Sequence, residues 1–272
     1  MSAQLLKEIS VNYSGGVDST ATAIKLLENF DRVHLHTYDH GYGQWFVKLS
    51  QRHVRDLKRE FGEDRVRSRI ISSKSLFEKI VLNTLRSDVK KYKSGFVWCM
   101  GCHTAFHTLT IIYNLKNGIP FASDGSSPEV DFAVMQMPSS LIDTADYYAK
   151  WGIQFSMPMY GLKTREQAKE LLKKYRMSTG IPFRERNPGT QPLCVTGNFQ
   201  HVLDTIFSIR PQYDPVQVHR FNMEKHQISM NYIQEYFKSR GLDANELRKE
   251  LIAKQELLSA SPKIDENQIT QG

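Results

Sequence analysis

Two groups of residues have the types and spacing for chemistry. The first is Ser14-Gly15-Gly16-Val17-Asp18-Ser19-Thr20, between an alternating apolar run and a helical one. Glycines there let backbone N–H groups turn toward an anion, and the dipole of a following helix favours negative charge. The string has neither the spacing nor the Gly-Lys-Ser/Thr ending of a Walker A loop, and it is not GxGxxG. A double glycine alone also serves as an ordinary strand–helix turn. The second group is Cys99, Cys102 and Cys194, the full set of three cysteines. Cys99-Met100-Gly101-Cys102 is a CxxC at the start of a helix. With His103 it matches c-type haem attachment, which needs an export signal that MSAQLLKEIS does not resemble. Cys99, Cys102, Cys194 and either His103 or His107 would supply four zinc ligands. The three cysteines alone would hold an iron–sulfur cluster with one iron left open. Three unrelated core cysteines are the chemically silent alternative.

Alternating strands and helices must position these groups. Lys7–Tyr13, Arg32–Tyr38, Arg65–Ile71, Ile119–Ala122 and Gln154–Tyr160 read as strands. Val17–Phe30, Gln44–Phe61, Ser75–Tyr92 and Thr104–Leu115 read as helices. Such alternation implies βαβ units and a mostly parallel sheet covered on both faces. Its ligands bind beyond the carboxyl ends of the strands, so the loops at 14–20, 39–43, 72–75 and 123–127 matter most. Thr164-Arg165-Glu166-Gln167 has the form of a capping box opening another helix. Proline and glycine recur over 181–215, which reads as loops around Cys194, and Gln227–Leu258 reads as two helices broken at Gly241.

The loop's full string resembles the SGGxDS signature of the PP-loop ATP pyrophosphatases, matching at Ser14, Gly15, Gly16, Asp18 and Ser19. That resemblance implies a doubly wound α/β fold, HUP/Rossmann-like, with a five-stranded parallel sheet and a helical C-terminal extension. The expected division is a PP-loop domain over 1–180, a loop-rich segment over 181–215 and the extension over 216–272. In this family the loop holds the β- and γ-phosphates of ATP while a substrate oxygen attacks the α-phosphorus. Pyrophosphate leaves, and a nucleophile then displaces AMP. Carried over, Ser14, Gly15, Gly16, Ser19 and Thr20 would bind pyrophosphate and Asp18 would place Mg²⁺. His36-Thr37-Tyr38-Asp39-His40-Gly41 resembles the second-strand ending of 7-cyano-7-deazaguanine synthases, which makes Tyr38 a candidate nucleotide contact. Met157–Lys163 resembles the family's Pro-Leu…Lys segment, which makes Lys163 a candidate phosphate contact; a solvated helix-start lysine is the alternative. Asp124 is a candidate second acidic residue, or a turn-forming Asp-Gly.

One branch of the family, including tRNA thiolation and small-molecule sulfur-inserting enzymes, binds [4Fe–4S] through a mid-domain CxxC and one distant cysteine. Cys99, Cys102 and Cys194 resemble that arrangement, and the implied chemistry is sulfur transfer. The 7-cyano-7-deazaguanine synthases carry four zinc cysteines near the C-terminus, a pattern absent from this sequence. The competing enzyme class is a nitrogen-inserting ligase with zinc or no metal, and the competing non-enzyme is a nucleotide-binding sensor or subunit.

Composition limits the remaining choices. Lys+Arg number 36 against 29 Asp+Glu, a net charge of +7, and 40% of residues are apolar. These values suit a globular chain, and no apolar run reaches the ~18 residues of a membrane span. A cytoplasmic protein is expected. Lys48, Arg52, Arg55, Lys58 and Arg59 share one helix, and Arg65, Arg67 and Arg69 alternate on a strand. Alternating arginines suit an edge strand or an anion site better than a buried strand. Lys90, Lys91 and Lys93 precede the CxxC, and Arg184 and Arg186 precede Cys194. The expected partners are ATP, a sulfur or nitrogen donor, and either tRNA or a small molecule as acceptor. A homodimer is compatible with these residues, which select no oligomeric state.

Overall fold

A computed structural model describes residues 5–130, 133–162, 164–179, 193–195 and 213–260. The chain runs β1 (Glu8–Asn12), α1 (Val17–Leu27), β2 (Arg32–Asp39), β3 (Gln44–Trp45), α2 (Gln51–Phe61) and β4 (Val66–Ser72). Then come α3 (Lys74–Phe77), α4 (Leu85–Tyr92), α5 (Phe96–Asn117), β5 (Phe121–Asp124), α6 (Pro138–Ala149) and β6 (Gln154–Ser156). The rest are α7 (Arg165–Lys174), β7 (Leu193–Cys194), α8 (Pro215–Lys238) and α9 (Ala244–Ala260).

Five strands form one sheet in the order β4-β2-β1-β5-β6, and every pairing is parallel. β1 is central. The chain winds outward through β2 and β4, then returns to the other side of β1 for β5 and β6. The crevice between β1 and β5 is therefore the topological switch point, where open sheets of this kind take ligands. Ile9, Val11, Val33 and Leu35 are buried along the central strands, as expected of strands covered on both faces. Asn12 pairs with His36 on one side and Asp124 on the other, so three polar residues stand abreast at the carboxyl edge.

The basic strand lies at the sheet's margin. β4 pairs only with β2 among the described residues, and much of it is exposed. Arg65, just before β4, donates to the carbonyls of Leu27 and Phe30, and within the strand the Arg69 guanidinium lies 5.5 Å from the centre of the Tyr113 ring.

Several boundaries differ from the sequence expectation. The helix expected over Gln44–Phe61 begins only at Gln51, because Gln44–Trp45 pairs antiparallel with Leu193–Cys194. Gly41, Gly43 and Phe46 adopt positive φ there, which no helix accommodates. The helix expected over Ser75–Tyr92 is divided into α3, a π-helical turn over Glu78–Leu82, and α4. Thr84 turns its hydroxyl back to the Ile80 carbonyl at the break. The CxxC lies in the first turns of α5, because that helix begins at Phe96 rather than at Thr104. Sequence periodicity did not reveal α6, whose N1 position is Pro138. α8 starts at Pro215 rather than Gln227, capped by the Asp214 carboxylate on the Val216 N–H at 2.9 Å. The break at Gly241 is present, with φ +70°. Of the loop-rich segment expected over 181–215, residues 181–192 and 196–212, with Arg184 and Arg186, lie outside the described residues.

α8 packs against α5 and α6 by burying Val218, Phe221, Ile233 and Phe237. A charge is buried in the same contact. Lys225 Nζ lies 2.5 Å from Asp88 Oδ2 and 2.6 Å from Thr84 Oγ1, and its side chain is 2% exposed. No helix among the described residues is long and apolar enough to cross a membrane. Removing one member of a buried ion pair leaves the other without compensation. Lys225→Ala should therefore lower the unfolding free energy by about 3–5 kcal/mol, while Lys225→Met with Asp88→Leu recovers most of it. Urea unfolding of the three proteins checks this.

Candidate active site

The glycine loop turns sharply between β1 and α1. Gly15 has φ +80°, the left-handed region that favours glycine. Ser14 Oγ accepts from the Gly16 N–H at 3.3 Å and contacts Ser19 Oγ at 3.0 Å, and Ser19 Oγ donates to the Gly16 carbonyl at 3.2 Å. These bonds close the loop on itself at the start of α1. Thr20 is fully buried and contacts the Tyr13 hydroxyl at 3.1 Å and His53 Nδ1 at 3.2 Å. The same His53 nitrogen lies 3.1 Å from the Gly15 carbonyl. Thr20 thus supports the loop from within and presents no side chain to solvent.

The loop after β5 meets this turn backbone to backbone. A Cβ on Gly125 would stand 2.8 Å from Ser19 N and 2.9 Å from Ser19 Cα. Between the two loops lies a cleft of about 320 Å³ lined by Ser14, Gly16, Asp18, Ser19, Tyr38 and Asp124. His36, Gln44, His103, Phe106 and Arg165 complete its polar and aromatic walls. Tyr38 stacks on Phe106 with centroids 5.0 Å apart and planes 14° from parallel, and its hydroxyl contacts Thr110 Oγ1 at 2.6 Å. An aromatic wall beside a phosphate-sized turn suits a nucleotide, which joins a flat apolar base to an anion.

Asp18 projects from the first turn of α1. Its Oδ2 lies 3.9 Å from Arg165 Nε, while Oδ1 is buried without a hydrogen-bond partner among the described residues. Burial raises its carboxyl pKa, against the opposing pull of Arg165. An orphaned carboxylate oxygen beside a phosphate loop fits a hard cation with oxygen ligands. Lys163 lies outside the described residues. Arg165, two residues on, reaches the cleft from the helix that the capping box starts. Sequence reading treated that box only as a helix start.

One face of α5 carries the rest of the site. Cys99, Cys102, His103, Phe106, His107 and Thr110 recur at helical spacing. Gly101, between the cysteines, faces the other way; a Cβ there would meet the Val81 side chain at 2.6 Å. Cys194 arrives from far along the chain through the β3–β7 pair, in register with Gln44. The three thiols are electrostatically linked. Burial first, then Cys194, pushes Cys99 up to about 11; burial, Cys194 and Cys99 push Cys102 well above the usual thiol range. Left alone, Cys99 and Cys102 hold their protons, which a metal centre would displace. Among the described residues, only His103, His107 and Asp124 bring three ligand atoms within 4.8 Å of one another. The cysteines are spread wider. A single tetrahedral zinc with ~2.3 Å bonds needs sulfurs about 3.8 Å apart. A cuboidal cluster gives each thiolate its own iron and so takes a wider set.

No protein-family model matches the sequence, and no curated protein matches it. Solved structures with some likeness include the U34-tRNA thiolase NcsA from Methanococcus maripaludis with its [4Fe-4S] cluster, at 12% identity and TM-score 0.45, covering 98% of this chain and 78% of that one. A predicted subunit of tRNA methyltransferase from Methanocaldococcus jannaschii aligns at 18% identity and TM-score 0.40, over 70% of this chain and 97% of that one. A 4-thiouridine synthetase in complex with RNA and ATP aligns at 15% identity and TM-score 0.47, over 81% of this chain and 53% of that one. These scores carry no functional weight, and the functional reading rests on this chain's own residues.

The contact between Gly125 and Ser19 can be tested directly. Backbone cannot yield as a flexible side chain can, so Gly125→Ala must displace the glycine loop or the β5 loop. It should weaken ATP binding by at least about tenfold, through a misplacement of ångström scale, while far-ultraviolet circular dichroism stays unchanged. Isothermal titration with ATP and Mg²⁺ measures the loss.

Proposed function

We propose that the chain is an ATP-dependent adenylating enzyme of the PP-loop kind, which activates a carbonyl or amide oxygen and exchanges it for sulfur. The observation that carries this reading is the convergence on one cleft of the SGGVDS turn, with Gly15 in its left-handed conformation and Asp18 offering a free carboxylate oxygen.

The residues divide the work by chemistry. The backbone N–H groups of the Ser14–Ser19 turn and the N-terminus of α1 face the β- and γ-phosphates. Asp18 holds Mg²⁺ through Oδ1, and Arg165 adds positive charge on the same side. Tyr38 and Phe106 form an apolar wall for the base. With the nucleotide so held, the acceptor oxygen attacks the α-phosphorus, and the bond to pyrophosphate breaks with its electron pair leaving on the β-phosphate oxygen. A sulfur nucleophile then adds to the activated carbon, and AMP departs with the former acceptor oxygen. Cys99, Cys102 and Cys194 have the donor type and spread to hold a [4Fe–4S] cluster. When bound, such a cluster supplies an iron position for the transferred sulfur.

A polyanionic acceptor, tRNA, suits the surface better than a small molecule. A second hollow of about 380 Å³ is lined by Lys58, Arg67 and Arg69 beside His34 and Tyr113. Clustered cations with aromatic neighbours are what phosphate backbones and unstacked bases require.

The test is anaerobic purification with iron and sulfide analysis, followed by pyrophosphate and thiolation assays on candidate tRNAs. Asp18→Ala should slow pyrophosphate release on the order of 100-fold or more. Cys194→Ser should retain that release and lose sulfur transfer. Unchanged release in Asp18→Ala would remove the loop chemistry. Absence of iron and sulfide would remove the cluster, and ammonia incorporation in place of sulfur would show a nitrogen-inserting ligase.

A further inference from the structure

We infer that His103, His107 and Asp124 form a binding site for one divalent transition-metal ion, zinc being the representative case, distinct from the Asp18 magnesium position and from the cysteines. Two ligands lie one helical turn apart on α5, the i, i+4 spacing that puts imidazoles on one face. The third ends β5, in register with Asn12 of the central strand. His103 Nε2 and His107 Nε2 are 2.9 Å apart, and Asp124 Oδ2 is 4.0 Å from the first and 3.9 Å from the second. Bonds of ~2.0–2.2 Å place ligand atoms about 3.0–3.5 Å from one another. The set therefore closes on an ion through shifts of under about 1 Å.

Surrounding contacts aim the Asp124 and His107 ligand atoms inward. Asp124 Oδ1 accepts from the Ser126 N–H at 3.0 Å, which leaves Oδ2 toward the histidines. His107 Nδ1 lies 2.8 Å from the Tyr148 hydroxyl and 2.9 Å from the Asn12 side-chain amide. Tyr148 is itself stacked on Phe155, centroids 4.7 Å apart. A proton on His107 Nδ1 donates to the tyrosine oxygen, or to the Asn12 amide turned with its oxygen inward, and Nε2 is then free to bind metal. This is how metal-binding histidines are usually held. Two histidines and one carboxylate form a donor set for zinc and its first-row neighbours rather than for magnesium.

The site opens in one direction. Side-chain exposure is 2% for His107 and 7% for Asp124 but 19% for His103, and both His103 and Asp124 line the nucleotide cleft. Three protein ligands with a position facing a cleft describe a catalytic rather than a structural metal site. The open position takes an oxygen of the bound nucleotide or acceptor. That role rests on the adenylating reading; the site itself does not.

Cobalt(II) is the probe, because its visible spectrum reports its ligands. The full-length Cys99→Ser/Cys102→Ser/Cys194→Ser variant should bind one equivalent of cobalt without sulfur charge-transfer absorption, and zinc should displace it. Adding His107→Gln or Asp124→Asn should weaken binding at least about tenfold. Failure of the folded triple variant to bind cobalt, or binding indifferent to both added substitutions, overturns the site. If the triple variant does not fold, Asp124→Asn in the otherwise unaltered chain decides: bound zinc should fall by one equivalent, and an unchanged zinc content overturns the proposal. Pyrophosphate release is measured separately. Cobalt binding without adenylation would reject the proposed function and leave the site standing.

Discussion

The parallel pairing of β1 with β2 on one side and β5 on the other places every group at the cleft. Its register sets Asn12 between His36 and Asp124 at the carboxyl edge. The glycine loop leaves from β1, the aromatic wall begins on β2, and Asp124 ends β5. A one-residue slip in β5 would send its terminal side chain to the opposite face of the sheet, because strand side chains alternate. The contact of Gly125 with the Ser19 backbone locks the same register from above. Position here comes from hydrogen-bonded strands rather than from flexible loops, which suits a site that must hold several reacting groups at once.

Burial sets the electrostatics of the cleft. His36 is pushed down to about 3 and His103 to about 4, while Asp124 is pushed up to about 6. In each case desolvation leads, disfavouring the charged form. Cys99 and Cys102 follow the same rule. A pocket whose own groups resist ionisation has few fixed charges with which to meet an anion, so on the proposed reading bound cations and backbone dipoles supply much of the complement. The orphaned oxygen of Asp18 and the inward-facing atoms of the His–His–Asp set are where such cations would sit.

α5 is the organising helix on the other side. Its face carries thiols in the first turns, then imidazoles, then the ring and hydroxyl that hold Tyr38. It passes from the cysteines to the aromatic wall of the cleft within a few turns. The buried Lys225–Asp88 pair and the apolar seam with α8 hold this helix and α4 in place. The C-terminal helices thus support the site without lining it.

Much was legible in the sequence where the information is local. The five strands of the sheet follow from apolar alternation between turn residues, and the sharp turn between β1 and α1 from its paired glycines. The edge position of the arginine strand also follows, since three charged side chains cannot enter a covered sheet. The β3–β7 pair was not legible, because two-residue strands have no period and their partners lie far apart in sequence. Nor was the cleft-facing role of Arg165, which local pattern explains fully as a helix start. The two histidines were visible as possible ligands beside the cysteines and Asp124 as a candidate acidic residue, but their proximity was not, because only sheet register brings Asp124 to α5. Composition and spacing by themselves determined which side chains carry chemistry and which elements bear them. Tertiary structure decided which of those side chains meet, because parallel strand pairing and helix packing join segments that no periodicity along the chain connects.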